Sequence, residues 1–576
     1  MILAAQKGRA LIVVGALASV FMALGFRLFD LHIVQHRELS AQAQANREQV
    51  VHQEGRRGEI LDVNGNLFAN SLSVHIATAD ATVTSPQAVA IAEKLAPFLK
   101  VDVESLTAKL SEQSHYVRLN PRVKLDEDTV AKIRAMKLKG ISFEDQFVRS
   151  YPNGPLASHV VGFVNSEHKG VQGIEASLDD YLEGQAGYEV IERDRKGHEI
   201  RALRDEEQGP RDGFNVVLTI DQVIQHVAEQ ELDKAMVEFK PQAGVIIVSR
   251  PKTGEILAMS SRPTFDPTNM DAASADARRN RCISDVAEPG STFKIVVCSG
   301  ALNENIVSLS DQFDCENGAF MYAGRVLHDA HPYGVLSVEE ILFHSSNIGA
   351  AKVALRMGPT RLAEYIQRYG FGHKTDIALP GEVSGIAHPL SKWNSLSITR
   401  IPMGHEVAVT SLQMLMAMNT IANNGMRMKP MIVKSVVDQD GTSIVKYEPE
   451  QVGQVVSPRA CALMTEALRK VVGPDGTAPK AGVPGFDVAG KTGTAQKVEN
   501  GQYVRKYYSS FIGYFPASDP QISILVSLDD PTSGGAFYGG SVAGPVFREV
   551  AEKVAEYLGM QPQAPPTPTA EVAKLS

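Results

Sequence analysis

Three short clusters in the C-terminal half of the chain carry residue types that can do chemistry together. The first is Ser291-Thr292-Phe293-Lys294, preceded by Glu288-Pro289-Gly290. Pro289 and Gly290 are breakers, and Ile295, Val296, Val297, Cys298, Ala301 and Leu302 then read as a nearly all-apolar, buried helix. Ser291 falls at the start of that helix, with Lys294 one turn along on the same face. A serine hydroxyl is a poor nucleophile until a base takes its proton. A lysine can be that base when burial and a second cation lower its pKa. A helix N-terminus also favours negative charge developing at Ser291. The plainer alternative for the same residues is an N-cap serine followed by a surface lysine.

The second cluster is Ser345-Ser346-Asn347, after the helical stretch Val338 to His344. From a short loop Ser345 and Asn347 can point the same way, one as a proton relay and the other as an amide for a peptide group. By itself such a triplet is common and usually forms a turn or cap. The third is Lys491-Thr492-Gly493-Thr494, after Phe486 to Ala489, which alternates like a strand. On an edge strand Gly493 would let a ligand approach the backbone. Lys491 and the hydroxyls of Thr492 and Thr494 can hold a carboxylate, and the backbone N–H groups of Ser291 and Thr494 can stabilise an oxyanion.

Other patterns compete. Gly485 to Thr492 fits phosphate-loop spacing, but that motif needs a strand before Gly485 and a helix after Thr492. Here Pro484 precedes it and an Asn500-Gly501 turn follows. Lys252-Thr253-Gly254 reads as turn chemistry between two strands. His328 and His331 read as loop residues rather than metal ligands, and there is neither H-E-x-x-H nor G-x-S-x-G.

The chain that must position these clusters has 576 residues, enough for three or four units. Apolar residues are 44% and charged residues 21%, which excludes a fibre or a mainly disordered chain. Lys+Arg is 57 against Asp+Glu 66, so nucleic-acid binding is not expected as a main role. The four cysteines, Cys282, Cys298, Cys315 and Cys461, form no C-x-x-C and no disulfide scaffold, and sequence cannot pair them.

Ala10 to Phe26 is an uncharged apolar run, extended through Phe29 if Arg27 snorkels. Lys7 and Arg9 precede it, so the positive-inside rule places the N-terminus in the cytoplasm and the bulk of the chain outside it. Ala16-Leu17-Ala18 could mark signal cleavage, but it lies in the middle of the run, which favours a retained anchor. A polar helix is expected from Glu38 to Gln49. Arg56 to Gly65 reads as a strand entering an Asn-Gly turn. Residues 50–210 mix short strands with helical patches such as Ala88 to Leu99 and Leu125 to Met136, with no chemical cluster. Arg204 to Gly213 is polar and reads as a boundary. Val216 to Ile220 then forms a strand, and Asp221 caps a helix through Leu232. Gly244 to Val248 and Glu255 to Met259 are paired strands. Val546, Val550, Val554 and Leu558 mark a last helix with Pro545 in its first turn. Four prolines between Gln561 and Ala570 mark a flexible tail. The expected segments are thus 1–9 cytoplasmic, 10–30 transmembrane, 31–210 an α+β unit, 211–560 the domain carrying the three clusters, and 561–576 the tail.

S-x-x-K, S-x-N and K-T-G occur in that order, 51 residues apart from Lys294 to Ser345 and 144 from Asn347 to Lys491. That set resembles the penicillin-binding protein and serine β-lactamase superfamily. The chain as a whole resembles class B penicillin-binding proteins, most of all the septal, FtsI-type transpeptidases. Arg57-Gly58-Glu59-Ile60-Leu61-Asp62, His159 to Asn165 with Gly173-Ile174-Glu175, and Gly539 to Phe547 resemble further stretches of that family. Ser345-Ser346-Asn347 favours the division branch, since the elongation branch usually has aspartate third. Gly404-His405-Glu406 departs from the family's Gly-Gln/Tyr-Gly.

The resemblance implies an α/β (α+β) transpeptidase-like domain, with an antiparallel sheet flanked by helices plus an all-α lobe. An N-terminal pedestal and a single transmembrane helix precede it. It implies acyl transfer: Ser291 as nucleophile, Lys294 as base, Ser345 with Lys294 or Lys491 as proton relay, and Asn347 on the donor peptide's amide. Lys491, Thr492, Gly493 and Thr494 line the carboxylate end of a peptidoglycan stem peptide. β-Lactams would acylate Ser291, no metal or organic cofactor would be needed, and a membrane glycan polymerase and other division proteins would be partners. The rival readings are a D,D-carboxypeptidase or β-lactamase, in which water attacks, and a non-catalytic β-lactam-binding scaffold.

Overall fold

The computed structural model describes residues 2–45, 48–192, 207–499, 501–533 and 537–562, and the chain forms two compact units. The first joins Met1–Arg56 to Gly184–Gly213. Its helix Ile2–Phe29 continues through a π-helical turn, and the stretch Lys7–Val34 is long and apolar enough to cross a membrane. The polar helix expected from Glu38 to Gln49 instead runs His36–Ala45. Glu48–Gln53 is a strand paired antiparallel with Gly187–Glu192, so cross-strand pairing of a segment containing Val50 and Val51 wins over helix propensity. Of the polar run at 204–213, residues 204–206 lie outside the described residues.

The second unit joins Arg57–Glu183 to the chain from Phe214 onward. The strand before the Asn-Gly turn is only Ile60–Leu61, and it pairs with Leu67–Ala79. Asp62 closes the turn by accepting from the N–H groups of Asn64 and Asn66, and Gly65 supplies a positive φ of 85°. Leu67–Ala79 pairs along Ile141–Ser150 as a ribbon. On one end of that ribbon Ala88–Leu99, Val103–Leu110 and Glu127–Ala135 enclose a small core of their own around Leu95, Leu106 and Val130.

At the other end of the ribbon lies an ion cluster that sequence reading did not find. Glu175 is fully buried and accepts from Arg57 Nε at 2.7 Å and Arg149 Nε at 2.6 Å, while Asp179 takes Arg57 Nη1 at 2.7 Å. Arg57 and Arg149 stand 118 and 26 residues from Glu175, so no local pattern marks the set.

Asn215–Leu218 lies parallel to Ile60–Leu61 and antiparallel to Val433–Val437, which builds the N-terminal strands into a sheet with the later chain. Asp221 caps the next helix through Val223 N and Ile224 N, and that helix, Gln222–Phe239, runs past the expected Leu232. The main sheet is antiparallel throughout, in the order Ile256–Arg262, Ala243–Ser249, Ile522–Asp529, Gln502–Phe515, Ala489–Glu499. Its faces separate by strand alternation. A Cβ at Gly244 would meet Leu232 of the Asp221-capped helix at 2.8 Å, whereas Ser249, of opposite parity, meets Asn419 of the helix Ser411–Ala422 at 2.9 Å. Both faces are therefore covered, and the first two strands in that order are buried at every residue.

A helical lobe follows, with Lys294–Asn303, Val338–Phe343, Asn347–Met357, Pro359–Arg368 and Pro458–Val472 around one core. It also carries the hairpin Ala319–Tyr322 and Arg325–His328. The last helix begins at Gly539, so Pro545 lies inside it rather than in its first turn. Close packing sets that start: a Cβ at Gly539 would lie 2.2 Å from Ser510 O and 2.4 Å from Gly493 O. Residues 563–576 of the expected tail lie outside the described residues. All four cysteines are free and buried.

Candidate active site

Gly290–Phe293 form one 3-10 turn that continues directly into the helix Lys294–Asn303. The turn is clamped from two sides. Thr292 Oγ1 donates to Pro289 O at 2.8 Å, and a Cβ at Gly404 would lie 2.2 Å from Gly290 O. Lys294 has no exposed surface, which overturns the surface-lysine reading. Its Nζ lies 2.9 Å from Ser291 Oγ, 2.8 Å from Asn347 Oδ1, 3.1 Å from Ser345 Oγ and 2.5 Å from Ser345 O. An ammonium has three N–H groups for these four oxygens; a neutral amine has two and a lone pair aimed at a hydroxyl proton. Burial favours the neutral form and pushes Lys294 down to about 7, against an upward pull from Asp329 and Cys298.

Ser345 occupies the connection between two helices, at a positive φ of 63°. Asp329 holds the triplet there. It accepts from Ser346 Oγ at 2.7 Å, from the N–H of Asn347, and from Ile348 N at 3.1 Å. Asn347 Nδ2 donates to His328 O at 3.1 Å, which fixes the amide so that Oδ1 faces Lys294. Asp329 is the functional neighbour that sequence reading missed. It stands 17 residues before Ser346, directly after the hairpin strand that ends at His328, a strand end rather than the loop residue the sequence suggests. An acid capping a helix start is a weak signal when it comes from outside the helix.

Lys491 lies on the edge strand Ala489–Glu499 and is likewise fully buried. Its Nζ donates to Ser345 Oγ at 2.9 Å, so one hydroxyl touches both amines. Burial, and then the nearby Lys294, hold Lys491 well below the usual lysine range. Thr492 Oγ1 sits 3.1 Å from Thr477 Oγ1, and Thr494 Oγ1 accepts from Gly539 N at 3.0 Å. Gly493 has another reason for its bare Cα than ligand approach. A Cβ there would lie 2.4 Å from Ser510 Oγ and 3.0 Å from Pro289 O, so the glycine lets the Ser291 turn press against the strand. The strand starts at Ala489 rather than Phe486, with no strand before Gly485 and no helix after Thr492, which removes the phosphate-loop reading. Lys252-Thr253-Gly254 is the turn between the strands ending at Ser249 and starting at Ile256, as expected.

The departing loop Gly404-His405-Glu406 is tied to the residues just before Ser291. His405 Nδ1 lies 2.8 Å from Glu288 Oε2 and 2.7 Å from Tyr503 Oη, and Glu406 N donates to Glu288 Oε1 at 3.0 Å. The three sequence clusters thus converge from two helix starts and one strand. A hydroxyl is set against a depressed amine, and a second hydroxyl bridges to a second amine. Such an arrangement can take a proton from Ser291 and return it across Ser345 to a leaving group.

The comparisons with known proteins agree with this geometry. The family model for the penicillin binding protein transpeptidase domain matches residues 244–552, and the model for the penicillin-binding protein dimerisation domain matches residues 52–218. Stage V sporulation protein D of Bacillus subtilis is 33% identical over 551 residues, 94% of this chain and 85% of its own length. Peptidoglycan D,D-transpeptidase FtsI of Escherichia coli is 31% identical over 516 residues, 88% of this chain and 84% of its own. The crystal structure of penicillin binding protein 3 from Mycobacterium tuberculosis with aztreonam superposes with a TM-score of 0.70 at 28% identity, covering 90% of this chain and 99% of that one. Since the first model spans the buried lysines and the second the strands that precede them, and the likeness runs nearly end to end, the chain belongs to the class B penicillin-binding protein transpeptidases.

Proposed function

We propose that the protein is a peptidoglycan D,D-transpeptidase, and that the contact carrying the reading is the 2.9 Å approach of the buried Lys294 amine to Ser291 Oγ. Neutral Lys294 takes the Ser291 proton as Oγ attacks the carbonyl between the last two D-alanines of a stem peptide. The backbone N–H groups of Ser291 and Thr494 receive the oxyanion. The C–N bond breaks, and the departing D-alanine nitrogen takes a proton passed through Ser345 from Lys294 or Lys491. An amine of a neighbouring strand then attacks the ester and gives a proton to neutral Lys294, which passes it to the Ser291 oxygen as the C–O bond breaks. Asn347 holds the donor amide, and Lys491, Thr492 and Thr494 hold its terminal carboxylate across Gly493.

β-Lactams enter the same cleft and acylate Ser291. The aztreonam and ampicillin complexes of the Mycobacterium tuberculosis relative support that reading. The segment divisions at 31–210 and 211–560, the N-terminus in the cytoplasm and the catalytic domain outside it belong to the same proposal. Lys7 and Arg9 ahead of the apolar helix support the orientation. Ser345-Ser346-Asn347 supports a septal role in cell division, with a glycan polymerase and other division proteins as partners.

Labelling with a fluorescent penicillin tests the mechanism. The expected result is a stoichiometric adduct on the wild type and none on Ser291→Ala with the same cooperative melt. Equal labelling of the folded variant removes Ser291 as nucleophile. Imaging of a tagged copy tests the cellular role, since an even side-wall distribution contradicts septal work.

A further inference from the structure

Away from the cleft, the loop after the helix Pro359–Arg368 faces the strands Met426–Met428 and Gln451–Gln454 across a cavity of about 220 Å³. Arg427 reaches into it. Among the described residues its guanidinium has no hydrogen-bond or ion-pair partner, and burial alone pulls its pKa below the usual arginine value. The more deeply buried Arg57 and Arg149 are each paired with a carboxylate, whereas the half-buried Arg427 is not.

The guanidinium lies against the glycine that ends the preceding helix. Gly370 has a positive φ of 87°, and a Cβ on it would lie 1.8 Å from Arg427 Nη1. Lys374 and His373 line the same space, and so does Lys429, whose Nζ is 3.4 Å from Glu450. Asp376 is the other acid on the wall. Three cations face two acids, and the planar fork that binds an oxyanion in two parallel hydrogen bonds is the group left over.

We propose that this cavity binds a small oxyanion, held by the Arg427 guanidinium with the Lys374 and Lys429 ammoniums beside it. The shared chemistry is a carboxylate or a phosphate, and three probes separate them: inorganic phosphate, pyrophosphate and citrate. Each is titrated calorimetrically into the full-length protein in detergent at constant ionic strength. The expected result is saturable one-site binding of at least one probe, weakened about tenfold or more in Arg427→Gln, since hydrogen bonds to charged groups are of that size. Preference for phosphate and pyrophosphate identifies a phosphoryl ligand, and preference for citrate a carboxylate.

The idea is overturned if the wild type gives no saturable heat with any probe into the millimolar range. It is also overturned if Arg427→Gln binds as the wild type does, or if sodium chloride at matched ionic strength displaces the probe equally well. Cooperative melting shows whether Arg427→Gln is folded. Where it is not, Lys374→Met and Lys429→Met carry the test, and wild-type affinity in both counts against the site.

Discussion

Arg57 and Arg149 are buried against a carboxylate, whereas Lys294 and Lys491 are buried against hydroxyls, a carbonyl and an amide. The depth is similar and the outcome opposite. At Arg57 burial lowers the pKa, but Glu175 and Asp179 more than reverse it, and the guanidinium stays charged. At Lys294 burial dominates, and the amine is poised near neutrality. A buried cation with a matched anion holds backbone together. A buried cation with only neutral oxygens can give its proton up, which is what a base for a serine must do. The difference lies in residue choice as well as in place. Arginine cannot lose its charge, while lysine shifts readily when desolvated.

The sharpest way to break that contrast is to remove the poised amine. Lys294→Met should slow acylation of Ser291 by about 10²–10⁴-fold, the usual worth of a general base. Lys294→Arg should not rescue it, because the guanidinium cannot become a base. Rescue by arginine, read from stopped-flow β-lactam acylation, would show that charge rather than proton transfer is needed.

The matching test at the ion cluster is Glu175→Gln. It leaves two buried guanidiniums without their shared anion and should destabilise the fold by about 3–5 kcal/mol. The loss is read as a lower midpoint in denaturant, with unchanged acylation in the fraction still folded. A variant as stable as wild type would mean that the arginines are satisfied by Asp179 and by carbonyls such as Gly58 O and Glu175 O.

The pH dependence separates the two regions next. Acylation should rise with pH through about 7 and then level as Lys294 loses its proton. Stability has the same sign for this group. A lysine depressed in the folded state binds fewer protons there than in the unfolded chain, so its cost is full below about 7 and fades as pH rises toward the ordinary lysine value. A flat acylation profile between pH 6 and 8, where ordinary lysines hold their charge, would rule out Lys294 as the titrating base.

The smallest effect is expected at Asp329→Asn. Removing that charge takes away an upward pull on Lys294, so the acidic limb of acylation should move to lower pH by less than one unit. An unchanged limb with a slower plateau would assign Asp329 to holding Ser346 and Asn347 only.

Much of the cleft was legible because motif residues sit at fixed offsets on single elements. Ser291 and Lys294 share a helix start, and Lys491 to Thr494 share a strand. Their mutual approach is a property of the superfamily pattern, not of any local period. What was not legible came from long-range closure. Asp329, Glu288 beneath His405, and the Arg57–Glu175–Arg149 set all join residues with no common periodicity. The misplaced ends of the first polar helix and the last helix have the same origin. Strand pairing claimed Glu48 and Gln49, and tight contact at Gly539 set where the last helix begins.

The four unbridged thiols carry a consequence for how this molecule is made. Burial raises the pKa of each, to about 12 for Cys298 and Cys461, so almost no thiolate is present to enter exchange. No native bridge has to form for the domain to fold. In the folded domain the thiols are shielded, so exchange with small disulfides in the surroundings is disfavoured.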